Sequence, residues 1–90
     1  MLYILICEDK ANSEALRKSV RDQHLEYLQA YDVRFAGPML ADDAATMIGS
    51  IIVIDVEDQA TARQFAASDP YGMAGLFASV TIRPFKQVIP

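Results

Sequence analysis

The sequence predicts an α+β domain of the ferredoxin-like type, β-α-β-β-α-β, from three observations. It has four short apolar runs rich in β-branched residues, two stretches with apolar residues at helical spacing, and turn-forming residues at the junctions. This order is the split βαβ pattern, whose antiparallel sheet carries both helices on one face. With 90 residues and 52% hydrophobic content, the chain reads as one domain, 1–90, with a sufficient but thin core.

Residues 2–7, LYILIC, form the first strand. The run is too short to cross a bilayer, and it lacks both a basic segment before it and a small-residue cleavage site after it. EDKANS follows as a turn that ends in a helix cap at Asn12 or Ser13. No Gly or Pro interrupts the chain from Ser13 to Tyr31, and Leu16, Val20, His24, Tyr27, Leu28 and Tyr31 recur at spacings of three and four. At the pitch of an α-helix these six positions occupy an arc of roughly 120°. The only histidine therefore sits inside the apolar stripe.

Residues 33–39, VRFAGPM, read as a second strand that closes at Gly37-Pro38, with LADDAAT as a polar connection. MIGSIIVIDV, 47–56, is the third strand. DQATARQFAAS supplies the second helix, with Ala62, Phe65 and Ala66 on one face. Proline disfavours helical geometry in the residue before it, so Asp69-Pro70 stops this helix at or before Ser68. A loop containing Gly72 and Gly75 leads to a last strand over 79–85. In LYILIC and IIVI both sides of the strand are apolar, so the sheet face away from the helices lacks its polar alternation. A bare apolar face implies a second copy packed sheet to sheet, a homodimer.

Composition narrows the partners. The net charge is −4, and Lys10, Arg17, Lys18 and Arg21 are spread through the first half. Nucleic acid requires a basic stripe, and anionic membranes a basic cluster; neither partner is expected. The single Cys7 excludes an internal disulfide and fits a reducing cytoplasm. No GxGxxG, P-loop or HExxH motif is present, and one His and one Cys cannot build a typical zinc site, so neither metal nor cofactor is expected. Ser68 and Ser79 lack a nucleophile-elbow context.

His24 is therefore the centre of any chemistry. It is either a neutral core histidine that satisfies a backbone group, or a general base kept neutral by apolar walls. A base generally needs a partner for its other ring nitrogen, most often a carboxylate. With both helices running in the same direction, their carboxyl ends share one sheet edge. That brings Asp69, just past the second helix, within reach of His24, about two turns from the end of the first. Asp42, Asp43, Asp55, Glu57 and Asp58 are expected toward the opposite edge. Asp69 is alternatively a turn residue bonding a nearby backbone N–H. Tyr27, Leu28, Tyr31, Tyr71, Met73, Leu76 and Phe77 are either ordinary core or the walls of a small-ligand pocket. The two glycines of the loop serve a turn or a ligand's approach to the backbone. Arg21 and Arg34 either hold an anionic ligand group or are solvated surface charges.

RDQHLEYL in the first helix, AGPM at the end of the second strand, and SDPYGMAGLF followed by VTIRPF occur in this order along the chain. Together they resemble the YCII-related (YciI-like) family over essentially the whole length. The resemblance implies a dimeric α+β barrel in which His24 and Asp69 form an active-site pair. Arg21, Tyr27, Gly37, Pro38, Pro70, Tyr71 and Phe77 are the residues expected to bind substrate. At least one relative of such proteins looks like a dehydrochlorinase, and related barrels include isomerases and monooxygenases. The expected function is cofactor-independent proton abstraction, leading to elimination or isomerisation of a small organic molecule. A non-catalytic metabolite-binding module and a ligand-free dimerisation domain are the alternatives.

Overall fold

The computed structural model describes residues 1–90. Its elements are β1 (Leu2–Asp9), α1 (Glu14–Leu28), β2 (Val33–Leu40), β3 (Met47–Asp55), α2 (Gln59–Ser68), the short α3 (Pro70–Met73) and β4 (Phe77–Phe85). The four strands form one sheet in the order β2-β3-β1-β4, with every neighbouring pair antiparallel. This is the ferredoxin-like α+β arrangement that the order of elements predicts.

Alternation along β1 turns Tyr3, Leu5 and Cys7 into the core, and β3 adds Ile52 and Ile54 to the same face. From above, α2 presses Ala62, Phe65 and Ala66 onto them. Phe65 also meets the rings of Tyr27 and Tyr31 at centroid distances of 5.4 and 4.8 Å, which ties α1 to α2. Asp58 caps α2 as its side chain accepts from the Thr61 N–H at 2.8 Å. The helix stops at Ser68 because Asp69 is extended (φ −59°, ψ 131°), as the following proline requires.

Several expectations change. The predicted loop after Asp69 begins with a helical turn, because Pro70 occupies the first helical position, where its missing N–H costs nothing. Gly75 does the work of a turn residue at φ 74°, and Gly72 lets α3 lie against α2, since a Cβ there would stand 2.5 Å from the Ala66 carbonyl oxygen. Ser13 precedes α1 without a side-chain cap bond, and Asn12 takes a left-handed turn conformation at φ 57°. Leu16 faces outward while Arg17 takes the buried place in the first turns of α1. Most consequential, the two long helices run in opposite directions rather than in the same one. Tyr27 meets Phe65, His24 meets Asp69 and Arg17 meets Tyr71, so descending order on α1 matches ascending order on α2 and α3.

The other sheet face carries no helix. Register places Ile4 beside Val53, Ile6 beside Ile51, and Phe35 beside Val53, an apolar centre flanked by Thr81 and Arg83 of β4. Phe35 is 50% exposed. No helix is long and apolar enough to cross a membrane.

Candidate active site

His24 and Asp69, forty-five positions apart, are in hydrogen-bond contact: Nδ1 lies 2.8 Å from Oδ1 and 3.0 Å from Oδ2. They meet although the helices are antiparallel, because His24 lies within α1 rather than at its end and α2 terminates level with it. Asp69 is 1% exposed and His24 6%. The carboxylate also accepts the Tyr71 N–H at 2.9 Å, so the turn bond and the histidine contact coexist in one side chain. A carboxylate only accepts, so a neutral imidazole in this contact carries its proton on Nδ1 and its lone pair on Nε2. No protein group bonds Nε2, and no buried polar side-chain atom lacks a partner; Nε2 is therefore open to solvent.

The imidazole stacks on Tyr71, with centroids 4.0 Å apart and planes 18° from parallel. Tyr71 rests edge-on against Phe77 at 6.1 Å. The Arg17 guanidinium stands 4.6 Å from the Tyr71 ring centroid, a cation–π contact. Burial is the main force holding the Tyr71 phenol above its usual range, opposed by the positive charges of Arg17 and Arg21. Arg17, 2% exposed, donates from Nε and Nη2 to the two Asp9 oxygens at 2.7 and 2.9 Å, and from Nη2 to Ser50 Oγ at 2.9 Å. Burial opposes its charge, but the bond and charge of Asp9 outweigh it and raise the guanidinium above its ordinary value.

Beside these groups lies a hollow of about 210 Å³. Its lining includes Arg17, Arg21, His24, Gly37, Pro38 and Tyr71, closed by apolar side chains such as Leu28 and Ile52. Thus Arg21, Gly37 and Pro38 gather with the histidine. Tyr27, Phe77 and Pro70 lie outside the lining. The Tyr27 hydroxyl donates to the Phe65 carbonyl at 2.9 Å and serves the core; Phe77 braces Tyr71 and borders a different groove; Pro70 opens α3. Arg34 pairs with Asp32 and Asp55 away from the site. Among the other acids, Asp43, Asp55 and Asp58 are held by local bonds. No three His, Cys, Asp or Glu side chains converge where they could hold a metal.

Arg17, Asp9 and Ser50 were not singled out in the sequence. Their one signal was placement: Arg17 lies seven residues before His24, two turns along the same helix face. Cys7, beneath the site, is pushed up to about 12 by burial and by the charge of Asp69, which keeps it a thiol and no nucleophile.

The fold and these contacts define a ferredoxin-like α+β protein with an imidazole–carboxylate contact bordering a small hollow. Residues 1–86 match the YCII-related domain, and the chain belongs to that family. It is 39% identical to protein YciI of Escherichia coli and of Shigella flexneri over 97 aligned positions, covering 98% of this chain and 99% of each relative. An uncharacterized protein of Haemophilus influenzae is 35% identical over the same span. Among solved structures, 5-chloro-2-hydroxyhydroquinone dehydrochlorinase (TftG) from Burkholderia phenoliruptrix, complexed with 2,5-dihydroxybenzoquinone, superposes with a TM-score of 0.86. It is 29% identical, over 96% of this chain and 94% of that one. A hypothetical protein of Pyrococcus horikoshii shares the fold at 16% identity and TM-score 0.54, over 96% and 93% of the two chains.

Proposed function

We propose that this chain is a cofactor-independent enzyme that moves a proton on a small organic substrate, as a lyase or an isomerase. The observation that carries the reading is the 2.8 Å contact between His24 Nδ1 and Asp69 Oδ1 beside the hollow. His24 Nε2 takes a proton from a carbon next to a carbonyl, and the C–H electron pair moves into an enolate. Asp69 fixes the tautomer and stabilises the imidazolium. Return of the proton at another atom gives isomerisation; departure of a leaving group with its electron pair gives elimination. The TftG neighbour, a dehydrochlorinase by name, favours elimination.

A metabolite screen for turnover, repeated with His24→Ala and Asp69→Asn, tests the reading. An Asn at 69 can still accept the Tyr71 N–H, but its amide can donate to Nδ1 and so favour the tautomer with hydrogen on Nε2, which is no base. Both variants should lose at least a hundredfold in kcat. Full turnover by either rejects the proposal, and saturable binding without product would favour a binding module instead.

The working unit in this reading is a homodimer joined through the helix-free sheet face, in the cytoplasm. The apolar centre formed by Ile4, Ile6, Ile51, Val53 and Phe35 supports the dimer, and a lone unpaired cysteine fits the compartment.

A further inference from the structure

A second groove, of about 650 Å³, runs between α2 and β4 and shares no lining residue with the hollow beside His24. One wall is Arg63, Ala66 and Ala67 of α2; the other is four consecutive strand residues, Val80–Arg83. Side chains of a strand alternate between faces, so a wall of four in a row includes the backbone edge itself. β4 is an outer strand of the sheet. The Val56 N–H donates to the Met1 carbonyl, so the odd-numbered residues of β1 direct their backbone groups at β3 and the even-numbered ones at β4. The partners of those even residues, Ser79, Thr81, Arg83 and Phe85, are therefore the bonded ones, and the N–H and C=O groups of Val80 and Ile82 point away from the sheet. Pro84, next in that alternation, has no N–H and ends the run of free donors.

The side chains of Val80 and Ile82 lie opposite Cys7 and Leu5, on the helix side of the sheet, and so beneath the groove. Arg63 and Arg83 are exposed and form no ion pair, and no acidic residue lines the groove. In a chain of net charge −4 this is a local excess of positive charge along an unpaired strand edge. We propose that the groove between α2 and β4 docks an extended acidic peptide segment of a partner protein, which adds a fifth strand to the sheet beside β4. Free backbone groups at alternate residues fit another strand, which supplies donors and acceptors at the same repeat. Guest residues opposite Val80 and Ile82 turn toward α2, where Ala66, Ala67 and Phe77 suit apolar side chains; those opposite Thr81 and Arg83 turn to the other face, where Arg83 suits an acid. Arg63, on the helix wall, adds to the attraction for a negatively charged guest.

The probe is a fluorescent six-residue peptide of alternating Glu and Val, compared with its Lys-Val counterpart and with a Glu-Val peptide N-methylated on the residues that would face β4. Anisotropy should show the Glu-Val peptide binding at least tenfold more tightly than either. The double variant Arg63→Glu, Arg83→Glu should reverse the preference between the Glu and Lys peptides. Val80→Pro removes an N–H that β1 does not use and should weaken the Glu-Val peptide at least tenfold; if that variant fails to fold, the N-methyl comparison on the unaltered protein still decides. In hydrogen-exchange NMR, the amides of Val80 and Ile82 should exchange at least tenfold faster than those of Thr81 and Arg83 in the free protein, and the peptide should slow them. Equal affinity for the N-methylated peptide, a preference for the Lys peptide, or no binding up to about millimolar concentration overturns the proposal. So does protection of Val80 and Ile82 in the free protein, which would assign the edge to a second copy of the chain.

Discussion

Asp69 does two tasks with one carboxylate, accepting from the Tyr71 N–H and holding His24 Nδ1. The two residues were legible singly, as the one histidine within an apolar helical stripe and the Asp-Pro that ends the second helix; their meeting was expected from helices running in the same direction, whereas it comes about because α2 terminates level with His24. Arg17 was not legible, since a charged side chain among Lys and Glu looks solvated until Asp9 is seen to close on it. Cys7 carries a prediction at this scale. Its thiol is raised on folding to about 12, so the folded chain keeps a proton that the unfolded chain releases from about pH 9. The stability this contributes is complete below the unfolded value and falls as pH climbs from about 9 toward 12. Urea titrations across that range should show stability declining with pH, and Cys7→Ala should flatten the decline. A thiol reagent at pH 8 should modify Cys7 only in denaturant.

At the scale of elements, the end of α2 followed from punctuation, Asp69-Pro70, whereas the Asp58 cap at its start was not read from the sequence and the cap expected at Asn12 or Ser13 forms no side-chain bond. Helix direction did not follow from local signals. It depends on how strands pair, and only the antiparallel β1–β3 and β1–β4 registers fix α1 and α2 as opposed. The Asp58 cap makes a second prediction. Its bonds from Thr61 hold the carboxyl below the ordinary range, so its contribution is present above that range and disappears as pH falls through the depressed value. Asp58→Ala should be less stable than the parent at pH 7 in urea denaturation, with the gap closing under strong acid. Gly72→Ala should push α3 off the Ala66 carbonyl and lower thermal stability, while displacing Tyr71 and with it the imidazole; the ring-proton shifts of His24 in NMR spectra report the displacement.

For the whole molecule, the core turns on Phe65, fully enclosed between the sheet and the tyrosines of α1. Phe65→Ala should cost about 3–5 kcal/mol, by cavity formation and lost contacts. In a chain of this length that is a drop of at least about 12 °C in the melting midpoint, read by calorimetry. On the opposite face, a homodimer has twice the 10.0 kDa chain mass. Phe35→Glu, placing charge at the apolar centre, should give the single-chain mass in sedimentation at micromolar concentration; a parent protein that is already monomeric removes the dimer.

Arg17 is fastened to the sheet by Asp9 of β1 and Ser50 of β3, whereas Asp69 belongs to the junction of α2 and α3. The cation is thereby bolted to one layer and the carboxylate to another, with a single rod, α1, passing between both anchors. Sliding of the upper storey over the lower would strain that rod at its two fixings before it altered anything else. A crevice framed in this manner keeps its shape when empty, which suits a guest too small to mould its own berth.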